Sequence, residues 1–466
     1  MSEVEMTDEV RVMLGNPKRA LIAMAIPIVI ANLIQSVNSI IDTVWLTSIG
    51  VEAQAAVNVI FPIFFLTIGV GNGLSVGASQ ALARRIGSQD HKGANDVAMQ
   101  GLMLSLLVSI VITIPFLLFA EQIVIIAGGE SNLEACMDYA LPVFFGIPGI
   151  IIIDMFSGLL RSEGASKRAM YIMILGAGLN ICLDPLFIFG FDMGISGAAI
   201  ATMLSMYIPI ILVLYWYCIR RSTFIRLSMK GFRFDSAQIK DILTVGVPAS
   251  LEIVLIAMAM MIMNIIIEGT ASVDGVAIFG NGWKIIDLFF MPTMAIGFAV
   301  VPICAAALGA KDAAKIRSVY ILALKYAVGI SILISIILLV FAPILVIPFS
   351  YSDDTILIRD QMATFLMICA VFMPFCPLGY TSSGYFQGMG WGLKSLSIIV
   401  ILNLLRIPVC LAMVSVFGTL ESIWWGLVIA EILGSLYGGI FGIYSIRKLV
   451  RGGYPELISS ADMPQC

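Results

Sequence analysis

Twelve apolar runs occupy most of this chain. They lie at roughly 20–46, 54–83, 97–119, 139–160, 168–190 and 194–219, then at 243–267, 276–306, 318–348, 361–385, 394–416 and 422–446. A helix of ~20 apolar residues crosses the hydrocarbon core of a bilayer. None of the runs alternates with the period of two that a barrel strand needs, so strands are excluded as the spanning element. A chain of 466 residues that is 60% hydrophobic and 12% charged has too little polar surface for a water-soluble domain. The expected fold is an all-α membrane protein of about twelve transmembrane helices. Met1 to Gly15 is polar and acidic, and the first apolar run is too long for a signal-peptide core, so no cleavable signal is expected.

Lysine and arginine collect on alternate loops. One side holds Arg11, Lys18 and Arg19, then Arg84, Arg85 and Lys92, then Arg161, Lys167 and Arg168. It continues through the basic stretch from Arg220 to Lys240, then Lys311, Lys315 and Arg317, then Lys394, and ends at Arg447, Lys448 and Arg451. The other side offers Glu52, Glu121, Glu130, Glu134, Asp192, Asp274, Asp353, Asp354 and Glu421, with Arg359 as its clear cation. Cytoplasmic loops carry the excess of Lys and Arg. The expectation is a multi-pass plasma-membrane protein with an even number of spans and both termini cytoplasmic.

The polar stretch in mid-chain invites a search for a repeat. Val51-Glu52-Ala53 through Gly87 aligns without a gap on Val273-Asp274-Gly275 through Gly309, and Asp90 then matches Asp312. Pro27 matches Pro248, Leu179-Asn180 matches Leu402-Asn403, and Pro185 matches Pro408. Six spans separate the copies, so they share one orientation. The expected layout is a cytoplasmic segment (1–19), an N-lobe of six helices (20–219), a cytoplasmic linker (220–241), a C-lobe of six helices (242–446) and a cytoplasmic tail (447–466). The lobes are expected to be related by a pseudo-two-fold axis along the membrane normal.

Charges inside the spans are few, and such groups mark pathways and binding sites. They are Asp42, Asp154, Asp184, Glu252, Lys284, Asp287, Arg406 and Glu431. An Asp at the centre of a membrane helix costs about 2.5–3.5 kcal/mol on insertion scales. Gln35, Asn38 and Asp42 share one helix face at i, i+3 and i+7, and Asn180 and Asp184 stack at i, i+4. Pro185 leaves the Ile181 carbonyl without its usual donor. Thr202 follows the small residues Gly197-Ala-Ala-Ile-Ala, which allow close helix approach. Asp42, Asn180, Asp184 and Thr202 together form a hard-oxygen set suited to a small hard cation or a proton. Asp154 is either a helix-packing acid or a cavity acid. Lys284 and Asp287, i, i+3 on one helix, are expected to satisfy each other. Glu252 is either a second titrating group or a buried, hydrogen-bonded acid, and Arg406 and Glu431 are possible partners.

The remaining polar and sulfur residues carry weaker signals. The eight cysteines form no CxxC pair, and those in apolar runs, such as Cys182, Cys304, Cys369 and Cys410, read as small core residues. His91 stands alone, with no second histidine to complete a metal site. The Met-dense run from Met258 to Met263 reads as core filler or as lining for a pocket that adapts to varied ligands. Candidate cavity residues are Gln35, Asn38, Asp154, Met173, Met206, Glu252, Lys284 and Asp287.

The chain resembles the multidrug and toxic compound extrusion (MATE) transporters from Pro27 to about Lys448. The likeness rests on Asp42-Thr43-Val44 in the first span, Arg161-Ser-Glu-Gly164-Ala-Ser-Lys167 after the fourth, Asn180 with Asp184-Pro185, and Gln387-Gly-Met-Gly390 after the tenth. The resemblance implies a V-shaped pair of six-helix bundles that export organic cations and other amphipathic compounds in exchange for inward sodium or protons. Asp42, Asn180, Asp184 and Thr202 match the amino-lobe cation site of the DinF-like branch. The NorM-like branch adds an acid in the tenth span, where 362–384 has none. Pro27 is the implied hinge.

The expected function is therefore a secondary antiporter, not an enzyme. No cofactor is expected beyond Na+ or H+ as coupling ion. The expected partners are small cationic, amphipathic substrates and the lipid bilayer, with no nucleic acid, and the protein is expected to be a monomer. A lipid-linked oligosaccharide flippase is the nearest alternative, but it wants a strongly cationic cavity, and only Lys284 and Arg406 supply one. An intramembrane enzyme or channel is a further alternative, with no nucleophile–base pair or metal-ligand motif to support it.

Overall fold

The computed structural model describes residues 6–349 and 356–452. Asp353, Asp354 and the tail beyond 452 lie outside the described residues. The described chain is helical almost throughout. A short helix, α1 (Asp8–Leu14), precedes α2 (Pro17–Ile49), α3 (Val51–Gly87), α4 (His91–Leu118) and a short α5 (Ala120–Ile126). Then come α6 (Leu133–Ser162), α7 (Ser166–Pro185) and α8 (Gly194–Leu214), with π-turns at Leu186–Gly190 and Tyr215–Arg220. Beyond the linker lie α9 (Ser236–Gly309), α10 (Ala313–Leu345), α11 (Arg359–Ala370), α12 (Cys376–Gly388), α13 (Gly392–Phe417) and α14 (Leu420–Gly452).

Among the described residues, 11 helical stretches are long and apolar enough to cross a membrane. Two of them, Ser236–Thr270 and Asp274–Gly309, make up α9. The chain must reverse between them. Gln387 bonds to Glu252 while its neighbour Gly388 packs on Val301. On a straight helix residues 252 and 301 would stand roughly 70 Å apart at 1.5 Å per residue.

The tenth apolar run is broken into α11 and α12. Pro374 has no N–H, so the Ala370 carbonyl loses its helical donor. The intervening N–H groups tighten to i−3 partners, Val371 to Ile368 and Phe372 to Cys369, at 3.1 and 3.2 Å. Ser335 Oγ of α10 donates to the freed Ala370 carbonyl at 2.6 Å. A buried carbonyl thus recovers the partner that proline removed.

By internal packing the residues fall into two compact units, Met1–Ser250 and Leu251–Cys466, so α9 begins within the first. Gly246, near its start, packs on the Gly73 backbone of α3. The linker also lies on the first unit. Gln100 Nε2 donates to the Arg233 carbonyl at 2.6 Å, and the Arg226 N–H donates to Asn95 Oδ1 at 2.8 Å. Glu163 is buried and accepts from the Tyr217 hydroxyl and the Phe224 N–H, both at 2.7 Å.

The sequence repeat has a physical basis in each unit. Asp90 caps α4 by accepting from the Gly93 N–H at 2.8 Å, and Asp312 caps α10 by accepting from the Lys315 N–H at 2.8 Å. The residues just before them, Gln89 and Lys311, both take left-handed backbone with φ of 60° and 56°. Ser157-Gly158 and Arg161 of α6 find their counterparts in Ser383-Gly384 and Gln387 of α12. Both glycines allow a close helix crossing: Gly158 lies on the Ser75 backbone of α3 and Gly384 on the Gly297 carbonyl of α9.

Candidate cation-coupling site

Helices α2, α7 and α8 pack on one another in the first unit. Gly197, in the first turn of α8, lies so close to the Phe187 carbonyl that a Cβ would stand 2.7 Å from it. The polar residues of the three helices meet in this contact. Asn38 Nδ2 donates to Asn180 Oδ1 at 2.8 Å. Asn180 Nδ2 donates to Asp184 Oδ1 at 3.1 Å and to Thr202 Oγ1 at 3.4 Å. The carboxyl groups of Asp42 and Asp184 meet within hydrogen-bond reach. Asp184 is fully buried, Asn180 and Asn38 are buried, and Asp42 and Thr202 are half-buried.

Two carboxyl groups cannot touch in a dry site as two bare anions. A proton shared between them, or a small cation bridging them, relieves the repulsion. Asp184 Oδ2 and Asn38 Oδ1 are buried without a donor, which leaves oxygen lone pairs for such a guest. The donor set is two carboxylates with neutral amide and hydroxyl oxygens. Hard cations take ligands of this kind. Among the described residues no group of three or more His, Cys, Asp and Glu gathers as a metal centre.

The structure distributes the other candidates unevenly. Asn38 joins this polar cluster, whereas Gln35 is exposed on the same helix. Met206 lines a small crevice with Thr202, Phe64, Val143 and Met203, and Met173 is half-buried. Asp154 is half-buried against Gly71 of α3, near enough to Arg161 to feel its charge. Arg161 itself donates to Ser157 Oγ at 2.9 Å and Ser75 Oγ at 3.3 Å. Pro27 is buried inside α2, which runs through it without a break.

In the second unit Lys284 and Asp287 do not pair. Asp287 lies near the Trp283 indole instead, and both Lys284 and Asp287 are exposed on α9. A neighbour one turn back offers a donor without the rotamer cost of stretching a lysine. Arg406 is ion-paired with Glu431, each side chain 4% exposed, and its guanidinium lies 5.5 Å from the Trp283 ring centre. The Met-rich run divides by face: Met263 is fully buried, Met260 packs on that core, and Met258 and Met261 point outward. Cys182 is exposed, not a core residue, because an apolar helix in a bilayer has an apolar outer face as well.

Sequence reasoning missed two residues. Tyr139 of α6 lies within electrostatic reach of both Asp42 and Asp184. Trp283 serves both Asp287 and Arg406. Nothing in the sequence marks Tyr139. Trp283 stands beside Lys284, four residues before Asp287, and one helical turn could have linked it to that acid.

The MatE family model matches the chain twice, over 27–186 and 248–412, so each match opens at one of the paired prolines. Multidrug export protein MepA of Staphylococcus saprophyticus is 24% identical over 451 residues, 94% of this chain and 96% of its own length. MepA of Staphylococcus aureus (strain N315) is 25% identical over 447 residues with the same coverage. Among solved structures, a MATE protein in a straight conformation is 32% identical with a TM-score of 0.92, covering 96% of this chain and 100% of that one. For a structure of MATE in the bent conformation the TM-score is 0.91, at 32% identity over 96% of this chain and 99% of that one. A MOP superfamily transporter from Pyrococcus furiosus, described as having a binding pocket of reverse polarity that suggests a different function, is also 32% identical with a TM-score of 0.92. It covers 96% of this chain and 100% of its own. On these grounds the chain belongs to the MATE family, as a multi-pass membrane transporter and not an enzyme.

Proposed function

We propose that this protein is a secondary antiporter that exports organic cations or other amphipathic small molecules in exchange for inward Na+ or H+. The observation that carries the reading is the meeting of Asp42 and Asp184 in a buried, oxygen-rich cluster with Asn38, Asn180 and Thr202. A guest cation there switches the cluster between repulsive and neutral, and the helices that hold it respond. Pro27 is the hinge of that response, since α2 already lacks one hydrogen bond at this point. Substrate uses the half-buried Met173, Met206 and Asp154 and the exposed Gln35 of the first unit; Lys284 and Asp287 are the candidate contacts of the second unit, taken by itself.

In this reading two six-helix lobes, 20–219 and 242–446, alternate access. The protein sits in the plasma membrane as a monomer with both termini cytoplasmic. The export of varied drugs by the MepA relatives supports the substrate class. One elementary charge moved inward contributes about 2.3 kcal/mol per 100 mV. Flipping of a lipid pyrophosphate is less well supported, because Glu431 neutralises Arg406.

The test is export from proteoliposomes under separately imposed sodium and pH gradients. One of the two gradients should drive export in the wild type. Asp184→Asn should reduce gradient-driven export at least about tenfold, the scale of a lost charge-assisted contact of about 1.4 kcal/mol or more. Wild-type export by a folded Asp184→Asn protein sinks the reading.

A further inference from the structure

The second unit holds a buried carboxylate that the coupling cluster does not use. Glu252 of α9 is 8% exposed. Ser395 Oγ of α13 donates to its Oε1 at 2.6 Å, and Gln387 Nε2 of α12 donates to its Oε2 at 3.1 Å. Ser383 Oγ lies 2.7 Å from Ser395 Oγ and accepts from Gln387 at 3.5 Å. Every partner is neutral.

The ionisable groups on the surrounding elements are engaged elsewhere. Lys394 of α13 lies over the Trp391 ring, 3.6 Å from its centre. On α12 the Tyr385 hydroxyl meets Ser445 at 3.3 Å, and on α10 the Tyr320 hydroxyl meets Ser382 at 2.8 Å. Cys304 of α9 is fully buried, with Lys315 of α10 close enough to act on it. Among the described residues no lysine, arginine or histidine forms an ion pair with Glu252.

Burying an ionised carboxylate without a counter-charge forfeits much of its hydration, whereas a neutral acid escapes most of that penalty. The hydroxyls here tolerate both forms, because a serine can donate or accept. With Glu252 ionised, Ser395 donates to it and Ser383 donates to Ser395. With Glu252 protonated, its O–H donates to Ser395 Oγ, and Ser395 turns its own proton to Ser383. Neither state leaves Ser395 unpaired. A metal ion suits the place less well, since metals need converging oxygens and Gln387 turns its N–H toward the carboxylate.

The repeat sharpens the contrast. Ser383, Gly384 and Gln387 take the places that Ser157, Gly158 and Arg161 hold in the first unit. There a permanent cation, Arg161, bonds to its i−4 serine. Here a neutral amide does so, with a carboxylate facing it. An arginine at 387 would hold Glu252 as an anion. A glutamine leaves its charge free to change.

We propose that Glu252, Ser383, Gln387 and Ser395 form a second proton-binding site, in the C-terminal unit and independent of the Asp42–Asp184 cluster. The step is the uptake of one proton by a glutamate oxygen and its later release. Only the use of that proton in a transport cycle rests on the antiporter reading; the binding itself does not.

The test is infrared titration of the full chain in lipid nanodiscs, which needs no transport. Wild type should show a carboxylic-acid carbonyl band that grows as the pH falls. Glu252→Gln should lose one component of it, and that component should survive in Asp42→Asn/Asp184→Asn. Ser395→Ala should keep the component but move its pH midpoint. Identical titrations for wild type and Glu252→Gln overturn the proposal, as does loss of the component in Asp42→Asn/Asp184→Asn alone. If Glu252→Gln does not fold, Ser395→Ala decides: a moved midpoint supports the site and an unmoved one overturns it.

Discussion

Asn38 and Asp42 lie four residues apart on α2, so one helix face carries both, yet they meet different partners. The sequence indicated the face and the oxygen chemistry. It did not indicate that Asn38 would reach Asn180, because that depends on the rotation of α2 against α7. The same limit applies to Asp287, which lies near the Trp283 indole and forms no ion pair with Lys284. Arg406 and Glu431 lie on neighbouring helices, and their pairing leaves no buried charge alone. Removing one partner strands the other, so Arg406→Ala or Glu431→Ala should each cost about 3–5 kcal/mol of stability. Thermal unfolding in detergent checks this, with Arg406→Met/Glu431→Met expected to lose less than either single change. Glu163 lies outside the spans, in the turn between α6 and α7. Burial pushes its carboxyl from 4.5 up to about 7, against the opposing hydrogen bonds of Tyr217 and Phe224. A raised folded value means that the bound proton stabilises the fold. That contribution is full below pH 4.5 and is lost as the pH rises through about 7. Glu163→Gln should flatten this part of the stability–pH curve, measured as unfolding temperature between acid and neutral pH.

At the scale of elements, hydropathy located the spans, and proline and glycine marked where they bend or touch. The tenth run is the instructive case. Its composition reads as one span, but Pro374 divides it into α11 and α12, and Ser335 of another helix makes the break tolerable. No local pattern names Ser335 as that partner. Small residues within spans signalled close packing in general, and the structure selects which of them matter. Gly158 sits on Ser75, where a Cβ would stand 2.7 Å from the Ser75 carbonyl. Gly178 has nothing within 4 Å of such a Cβ. Gly158→Ala should therefore destabilise by about 1–3 kcal/mol through overpacking. Gly178→Ala should be neutral or stabilising by about 0.5–1 kcal/mol, the helix-propensity gain. Unfolding midpoints of the two variants side by side decide it.

At the scale of the whole molecule, duplication is the governing fact. Asp90 and Asp312 cap equivalent helices after turns with the same left-handed residue, so the two turns should face the same side of the membrane. Gln89→Cys and Lys311→Cys, both at exposed positions, should react with a membrane-impermeant thiol reagent in inverted vesicles and resist it in right-side-out ones. Opposite reactivity of the two would break the parallel arrangement. The sequence by itself determined the helical membrane class, the number of apolar runs, the repeat and which spans carry acids. These follow from the insolubility of an unpaired backbone in lipid and from the cost of a charge there, both of which act on local composition. Only the tertiary structure decided that Asp42 meets Asp184, that Tyr139 comes within electrostatic reach of both, that Asp287 lies near Trp283, and that Glu252 is held by neutral donors alone. Those outcomes depend on how each helix rotates and how closely its neighbour approaches. Both are set by contacts between residues more than a hundred positions apart, such as Asn38 with Asn180 and Glu252 with Ser395.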